Sequence, residues 1–227
     1  MAWHEQLAVF DLETTGVNVE TARIVTAHIG VIDAAGNPTE SWSWLLDPGV
    51  AIPDAATSVH GVTTEHAREH GSPASEGVSQ IVEMLRKLQS SGMPLVIYNA
   101  PYDLTVLDRE TQRYVVEPLL SPQPIIDPLV IDKAVDTYRR GKRTLSVTCE
   151  HYGVELIDAH DASADAIAAG RLAQALARQY GEELGVEAAE LHRLQVGWAA
   201  AQAADFEAYM RRVRDPEFRT TGVWPVR

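Results

Sequence analysis

Asp11 and Glu13 close a short apolar run, Leu7 to Phe10, within the string Val9-Phe10-Asp11-Leu12-Glu13-Thr14-Thr15-Gly16. The run reads as a buried strand. Side chains alternate across a strand, so the two carboxylates share a face. Acids side by side at a strand end repel each other and lose hydration; a fold keeps them there when a cation, a paired base or shared protons compensate. Gly16, after two threonines, suits a tight exit or the close approach of a ligand. By itself Asp-x-Glu also fits an ordinary strand that ends in a solvated acidic turn.

Two further acids shift that balance. Asp103 follows the apolar run Pro94 to Tyr98 in the string Asn99-Ala100-Pro101-Tyr102-Asp103. Asp165 lies just inside a helix that begins near Asp161, in His160-Asp161-Ala162-Ser163-Ala164-Asp165. Strand ends and helix starts are where ligand sites gather in α/β sheets. Singly, Asp103 and Asp165 also read as first-turn charges favoured by the helix dipole. His160 adds a group that can accept a proton near neutral pH. On a continuous helix its offset from Asp165 would be roughly 500°, at ~100° per residue, which separates the two side chains. Both reach one site only if His160 precedes the helix and folds back, which an N-cap at Asp161 or Ser163 permits.

The elements that must position these groups follow from periodicity. Arg23 to Asp33 and Ser41 to Leu46, the latter with Trp42 and Trp44 on one face, join the first strand in an antiparallel meander. Residues 48–74 read as loop-rich. Ser75 to Gln89 shows helical spacing, and Pro94 to Tyr98 reads as a buried central strand. A helix from Tyr102 to Val115, a strand from Pro124 to Asp127 and a helix from Leu129 to Tyr138 come next. A basic cluster, Arg139-Arg140-Gly141-Lys142-Arg143, precedes a short helix from Leu145 to Tyr152. A long helix from the His160–Asp165 string to Tyr180 and a second from Glu187 to Arg214 complete the chain. All the candidate chemistry lies in residues 1–181, and residues 182–227 form a C-terminal helix and tail packed on that core.

Composition narrows the function classes. The 227 residues are 45% hydrophobic and 22% charged, values of a globular protein that folds without staples. With 19 basic and 32 acidic residues the net charge is −13, which argues against non-specific coating of nucleic acid. It does not argue against a nuclease, because bound divalent cations reverse the local sign. Cys149 is the single cysteine, so neither an intrachain disulfide nor a zinc cluster is expected. No stretch reads as a signal peptide or membrane span, and the expectation is a cytoplasmic protein with no membrane partner.

The three strings around Asp11, Asp103 and Asp165 resemble, in order, the three exonuclease motifs of the DEDDh superfamily. That is the ribonuclease H-like group containing the proofreading ε subunit of bacterial DNA polymerase III. Asp161, rather than a tyrosine, lies four before Asp165, so His160 places the likeness in the histidine branch. Tyr102 stands where phenylalanine is more usual.

The resemblance implies an α/β, ribonuclease H-like fold, with a central mixed five-stranded sheet flanked by helices on both faces. It implies two divalent metal ions, Mg²⁺ or Mn²⁺, held by Asp11, Glu13, Asp103 and Asp165, with His160 as general base. Hard divalent cations prefer carboxylate oxygen, which agrees. The implied activity is 3′→5′ exonucleolytic release of nucleoside monophosphates from single-stranded ends, DNA ahead of RNA, in proofreading or repair and with a DNA polymerase as a candidate partner. Thr14 and Thr15 would line the terminal-nucleotide pocket, with His60 of Val59-His60-Gly61-Val62-Thr63 beside it. Asn99 and Tyr102 would contact the strand, Tyr102 by stacking. Arg139, Arg140, Lys142 and Arg143 would meet backbone phosphates. A loop histidine and a solvated charge run remain the plain readings of His60 and of the cluster. An RNA-trimming enzyme and a catalytically silent nucleic-acid-binding module are the alternatives for the whole chain.

Overall fold

Three strands begin the chain: β1 (Leu7–Thr14), β2 (Ile24–Ile32) and β3 (Pro38–Asp47), paired antiparallel in sequence order. The structure is a computed structural model that describes residues 2–157 and 159–227. Two short helices follow, α1 (Asp54–His60) and α2 (Thr64–His70), and then β4 (Ser72–Pro73) and α3 (Ala74–Ser90). The second half runs β5 (Leu95–Val96), α4 (Ala100–Tyr114), β6 (Ile125–Ile126), α5 (Pro128–Val135) and α6 (Leu145–His151). It ends with α7 (Ala162–Gln179), α8 (Gly181–Leu184) and α9 (Ala188–Val213). The strand order is β4-β3-β2-β1-β5-β6, with β5 parallel to β1, β6 parallel to β5, and β4 parallel to β3.

The sheet is mixed and flanked by helices on both faces, as expected, but it has six strands rather than five. The extra one, β4, pairs only through Leu46 with Ser72 and Asp47 with Pro73, too short to show alternation. Residues 48–74 are likewise not mainly loop. α1 buries none of its residues and α2 only Ala67, so neither carries an apolar stripe that periodicity could reveal. Their punctuation is readable afterwards: Thr63 caps α2 through His66 N–H, and Gly61 ends α1 at φ 77°.

Alternation along β1 divides the core into two layers. Ala8, Phe10 and Leu12 pack with Val78, Ile81 and Leu85 of α3 and Leu104 of α4. Leu7 and Val9 pack on the opposite face against Ala166, Ala169, Leu172 and Ala173 of α7. Asp11 and Glu13 continue that second series, so the strand that builds the core also points two acids toward α7. The alanine-rich face of α7 lets it approach closely. At Gly170 an added Cβ would lie 2.5 Å from Val9 Cγ1 and 2.7 Å from Ile32 Cδ1.

α9 covers the outer edge of β6 with side chains instead of a further strand. His192 Nδ1 accepts Ile125 N–H at 3.1 Å, Gln195 Oε1 accepts Asp127 N–H at 2.7 Å, and Gln195 Nε2 donates to the Ile125 carbonyl at 3.0 Å. Edge groups that would otherwise sit buried and unpaired are thereby satisfied. Past α9 the chain returns to the core: Trp224 is 6% exposed, and Arg227 N–H donates to Thr105 Oγ1 at 2.9 Å. No described helix is long and apolar enough to cross a membrane.

Gly170→Ala should destabilise the protein. Overpacking at about 1–3 kcal/mol outweighs the gain of about 1 kcal/mol in helix propensity. Urea denaturation should show a lower midpoint with an unchanged slope; a midpoint equal to that of the wild type would show that α7 has room to spare.

Candidate active site

Each acid reaches the site by a different local device. Asp11 and Glu13 stand at the carboxyl end of β1, partly buried, on the face that meets α7. Asp103 sits in the first turn of α4 and is 3% exposed. Its Oδ1 accepts the Leu12 N–H at 3.2 Å, which ties the start of α4 to β1 between the first two acids. Asp165 sits in the first turn of α7.

The start of α7 resolves the spacing of His160 and Asp165. Asp161 is the N-cap and accepts the N–H groups of Ser163 and Ala164, both at 3.0 Å. The helix therefore begins after His160, whose φ of 74° folds the chain back. His160 N–H donates to Asp165 Oδ2 at 3.2 Å, and its imidazole is exposed. Ligand atoms of Glu13, His160 and Asp165 lie within 4.8 Å of one another. Asp11, Glu13, Asp103 and Asp165 line one cleft of about 360 Å³, which Tyr98 and Asn99 extend.

The electrostatics of the cleft are uncompensated. Burial first, then Asp103 and Asp165, push the Asp11 carboxyl well above the usual range. Burial, with Asp165 and Asp161 adding, raises Glu13 to about 8. Asp103 is raised by burial against the pull of the Leu12 N–H, and Asp165 by burial against that of His160 N–H. Asp165 Oδ1 is buried with no hydrogen-bond partner. Among the described residues, the cationic side chain lining the cleft is Arg143, held at 2.5 Å by Asp132. A set of carboxylate oxygens that, among the described residues, meets no Lys or Arg free of another acid, with only His160 beside Asp165, fits hard divalent cations.

Asp127 is the residue that sequence reasoning missed. It is fully buried, and its carboxylate accepts Asn99, Ala100 and Leu129 N–H, each at 3.0 Å, and Trp224 Nε1–H at 3.3 Å. It thus caps α5 and also fixes the left-handed turn at Asn99, φ 63°, that launches α4 and Asp103. The available signal was Asp127-Pro128, an N-cap residue followed by proline at the first helical position.

The remaining candidates divide. Tyr102 is half-buried, and its hydroxyl donates to the Gly16 carbonyl at 2.6 Å and lies 2.5 Å from Thr14 Oγ1. The hydroxyl that distinguishes it from phenylalanine thus secures the turn after Glu13. Thr15 Oγ1 accepts Arg23 N–H at 3.0 Å, holding the same turn against β2. His60 Nδ1 accepts Val62 N–H at 3.2 Å while its Nε2 is buried and unpartnered; burial lowers its pKa, with the Thr14 backbone pulling the other way. Asn99 is exposed at the cleft. Arg139 and Arg143 bind the buried Asp132, each at 2.5 Å, whereas Arg140 and Lys142 are exposed. Half of the basic cluster is therefore part of the scaffold.

Residues 8–173 match the family model described as exonuclease. The DNA polymerase III PolC-type of Streptococcus mutans is 28% identical over 181 residues, 78% of this chain but 12% of that protein. A DNA polymerase III subunit epsilon-like protein of Rhodobacter capsulatus is 34% identical over 106 residues, 45% of this chain and 14% of that protein. Among solved structures, E. coli exonuclease I in complex with a dA16 oligonucleotide superimposes with a TM-score of 0.68 at 19% identity, covering 80% of this chain and 42% of that one. The chain thus spans a small part of the polymerases it matches and less than half of exonuclease I. The matched residues run from the start of β1 through most of α7, every acid of the cleft among them, and the chain belongs to the exonuclease family.

Proposed function

We propose that the protein is a metal-dependent 3′→5′ exonuclease that releases nucleoside monophosphates from single-stranded DNA ends. The observation that carries this reading is the convergence of Asp11, Glu13, Asp103 and Asp165 on one cleft with no positive side chain free to balance them. When bound, a pair of Mg²⁺ or Mn²⁺ ions supplies Lewis acidity to the attacking water and to the leaving 3′ oxygen. The four carboxylates hold those ions, and the unpartnered Asp165 Oδ1 is the most exacting of their oxygens. His160, at the mouth of α7, accepts the proton of the attacking water. The Thr14–Gly16 turn, braced by Tyr102, receives the terminal nucleotide with His60 beside it. Arg140 and Lys142 lie exposed for backbone phosphates.

Single-stranded DNA is supported by the oligonucleotide in the exonuclease I complex, and a polymerase partner by the names of the sequence relatives. RNA trimming is the competing substrate class. Turnover on matched DNA and RNA oligonucleotides, end-labelled, decides between them. A second reading of His160, as a cation ligand, is favoured by its place within 4.8 Å of Glu13 and Asp165.

Three outcomes follow from these assignments. Mononucleotide release should require Mg²⁺ or Mn²⁺ and fall to background in Asp103→Asn; full activity in EDTA would end the two-metal reading. His160→Ala should lower kcat on the order of 10²–10⁴-fold. If His160 is the base, the variant keeps Mg²⁺ affinity near that of the wild type; if it is a ligand, the variant binds Mg²⁺ more weakly.

The third concerns stability without metal. Glu13 is raised from 4.5 to about 8, so folding takes up a proton between those values. Its contribution is present at acid pH and is lost as pH rises through about 8. His28 and His192, both buried, and the half-buried His60 are shifted down and titrate with the opposite sign, so the contrast is with Glu13→Gln. In EDTA, the variant's gain in Tm over the wild type should grow from pH 5 to pH 8, and Mg²⁺ should remove the difference. A constant gap would mean that Glu13 is not strained.

A further inference from the structure

A second groove, of about 230 Å³, lies beside the acidic cleft and shares Asn99 and Leu129 with it. Its walls are α5, α9 and residues 220–224, and two of those three lie beyond the residues that match the exonuclease family. In a chain of net charge −13, the charged side chains that line it are Asp127, Lys133 and Arg227. Two cationic side chains stand against one acid, and that acid is buried with four N–H donors on its carboxylate, so the lining side chains carry a positive excess.

Lys133 is the informative member. It is half-buried on α5 and makes no hydrogen bond or ion pair among the described residues. The nearest acids are already engaged: Asp127 as above, and Asp132 by Arg139, Arg143 and Tyr152. Burial pushes the ammonium below its usual pKa, against the pull of Asp127 and Asp132. A partly desolvated ammonium without a partner is costly unless an anion comes to it. Thr220 and Thr221 also line the groove, held by Thr220 N–H on Glu207 Oε2 and Val223 N–H on Thr221 Oγ1, together with Phe206, which is 50% exposed. A cation beside an exposed aromatic ring, here one that Phe218 braces edge-to-face at 5.6 Å, is how single-stranded nucleic acid is held without sequence readout.

We propose that this groove holds the strand just upstream of the scissile 3′ end, with Lys133 on a backbone phosphate and Phe206 under a base. The direction fits the sheet. The Thr14–Gly16 turn leads from β1 toward β2, where Thr15 Oγ1 accepts Arg23 N–H, whereas Asn99 and Leu129 lie past the ends of β5 and β6. From β1 to β6 is two strand spacings, roughly 10 Å, so a strand laid across the carboxyl ends enters the groove within a few nucleotides of the acids. The proposal rests on the exonuclease reading for which end of the strand lies at the acids, and it adds residues that reading does not use.

The test measures binding and turnover separately on wild type, Lys133→Met, Lys133→Arg and Phe206→Ala, with folding checked by circular dichroism and thermal melting. The probe is a fluorescein-labelled oligothymidylate of eight nucleotides, with a dinucleotide for comparison. Lys133→Met should raise the Kd for the longer probe about tenfold and reduce the slope of log Kd against log salt by about one, whereas Lys133→Arg should keep both. Phe206→Ala, on the open face of α9, should raise the Kd severalfold with the salt slope unchanged. The ratio of dinucleotide to octanucleotide KM should narrow in the same two variants. An unchanged Kd and slope in folded Lys133→Met overturns the groove whatever the turnover. Octanucleotide binding that depends on Lys133, without hydrolysis in Mg²⁺ or Mn²⁺, would keep the groove and remove the exonuclease reading. No binding by the wild type would remove both.

Discussion

Carboxylates that repel one another while partly out of water are the constraint around which this protein is arranged. Asp11 and Glu13 are forced together by strand alternation, and Asp103 and Asp165 are brought to them by the first turns of two helices. Burial raises all four, and repulsion from neighbouring acids adds to it, which is a cost in the metal-free chain. Rigid neighbours keep the acids from moving apart. The Leu12 N–H holds Asp103, the Asp161 cap fixes the start of α7, and Gly170 lets α7 lie close to β1.

Other buried acids in the same chain show what compensation looks like. Glu110 Oε1 is met by Arg23 at 3.0 Å and Arg113 at 2.6 Å, which offset part of the burial that still raises its carboxyl. Burial acts to raise Asp132, yet Arg139 and Arg143 hold it below the usual range. Asp127 is answered by N–H donors from four positions. A buried acid whose partners come from within the chain serves the scaffold; one whose partners are missing marks a site. That distinction also applies to Lys133, a cation left without an acid where its neighbours have theirs.

Asp127 links the two halves of this arrangement. It fixes the turn that aims Asp103, caps α5, and receives Trp224 from the returning tail, while Gln195 of α9 accepts its backbone N–H. The C-terminal elements therefore bear on the turn that launches α4 and places Asp103 in the acidic cleft. They also form walls of the groove that continues the acidic cleft.

The strings around Asp11, Asp103 and Asp165 pointed to the exonuclease family and named acids that the fold brings to one cleft, because residue type and strand or helix period are local properties. They also determined the place of His160, since a continuous helix could not have brought it to Asp165. The long helices and the antiparallel meander followed for the same reason. Tertiary structure decided what depends on partners distant in sequence. α1, α2 and β4 escaped because they bury too little to leave a periodic trace. The basic cluster looked uniform until Asp132 claimed Arg139 and Arg143 and left Arg140 and Lys142 to solvent. Asp127 looked like the end of a strand until four N–H groups, three of them from outside its own helix, converged on it. Hydrogen-bond satisfaction across the fold is not written in any window of sequence, and it is what separates the acids that build this protein from those that equip it.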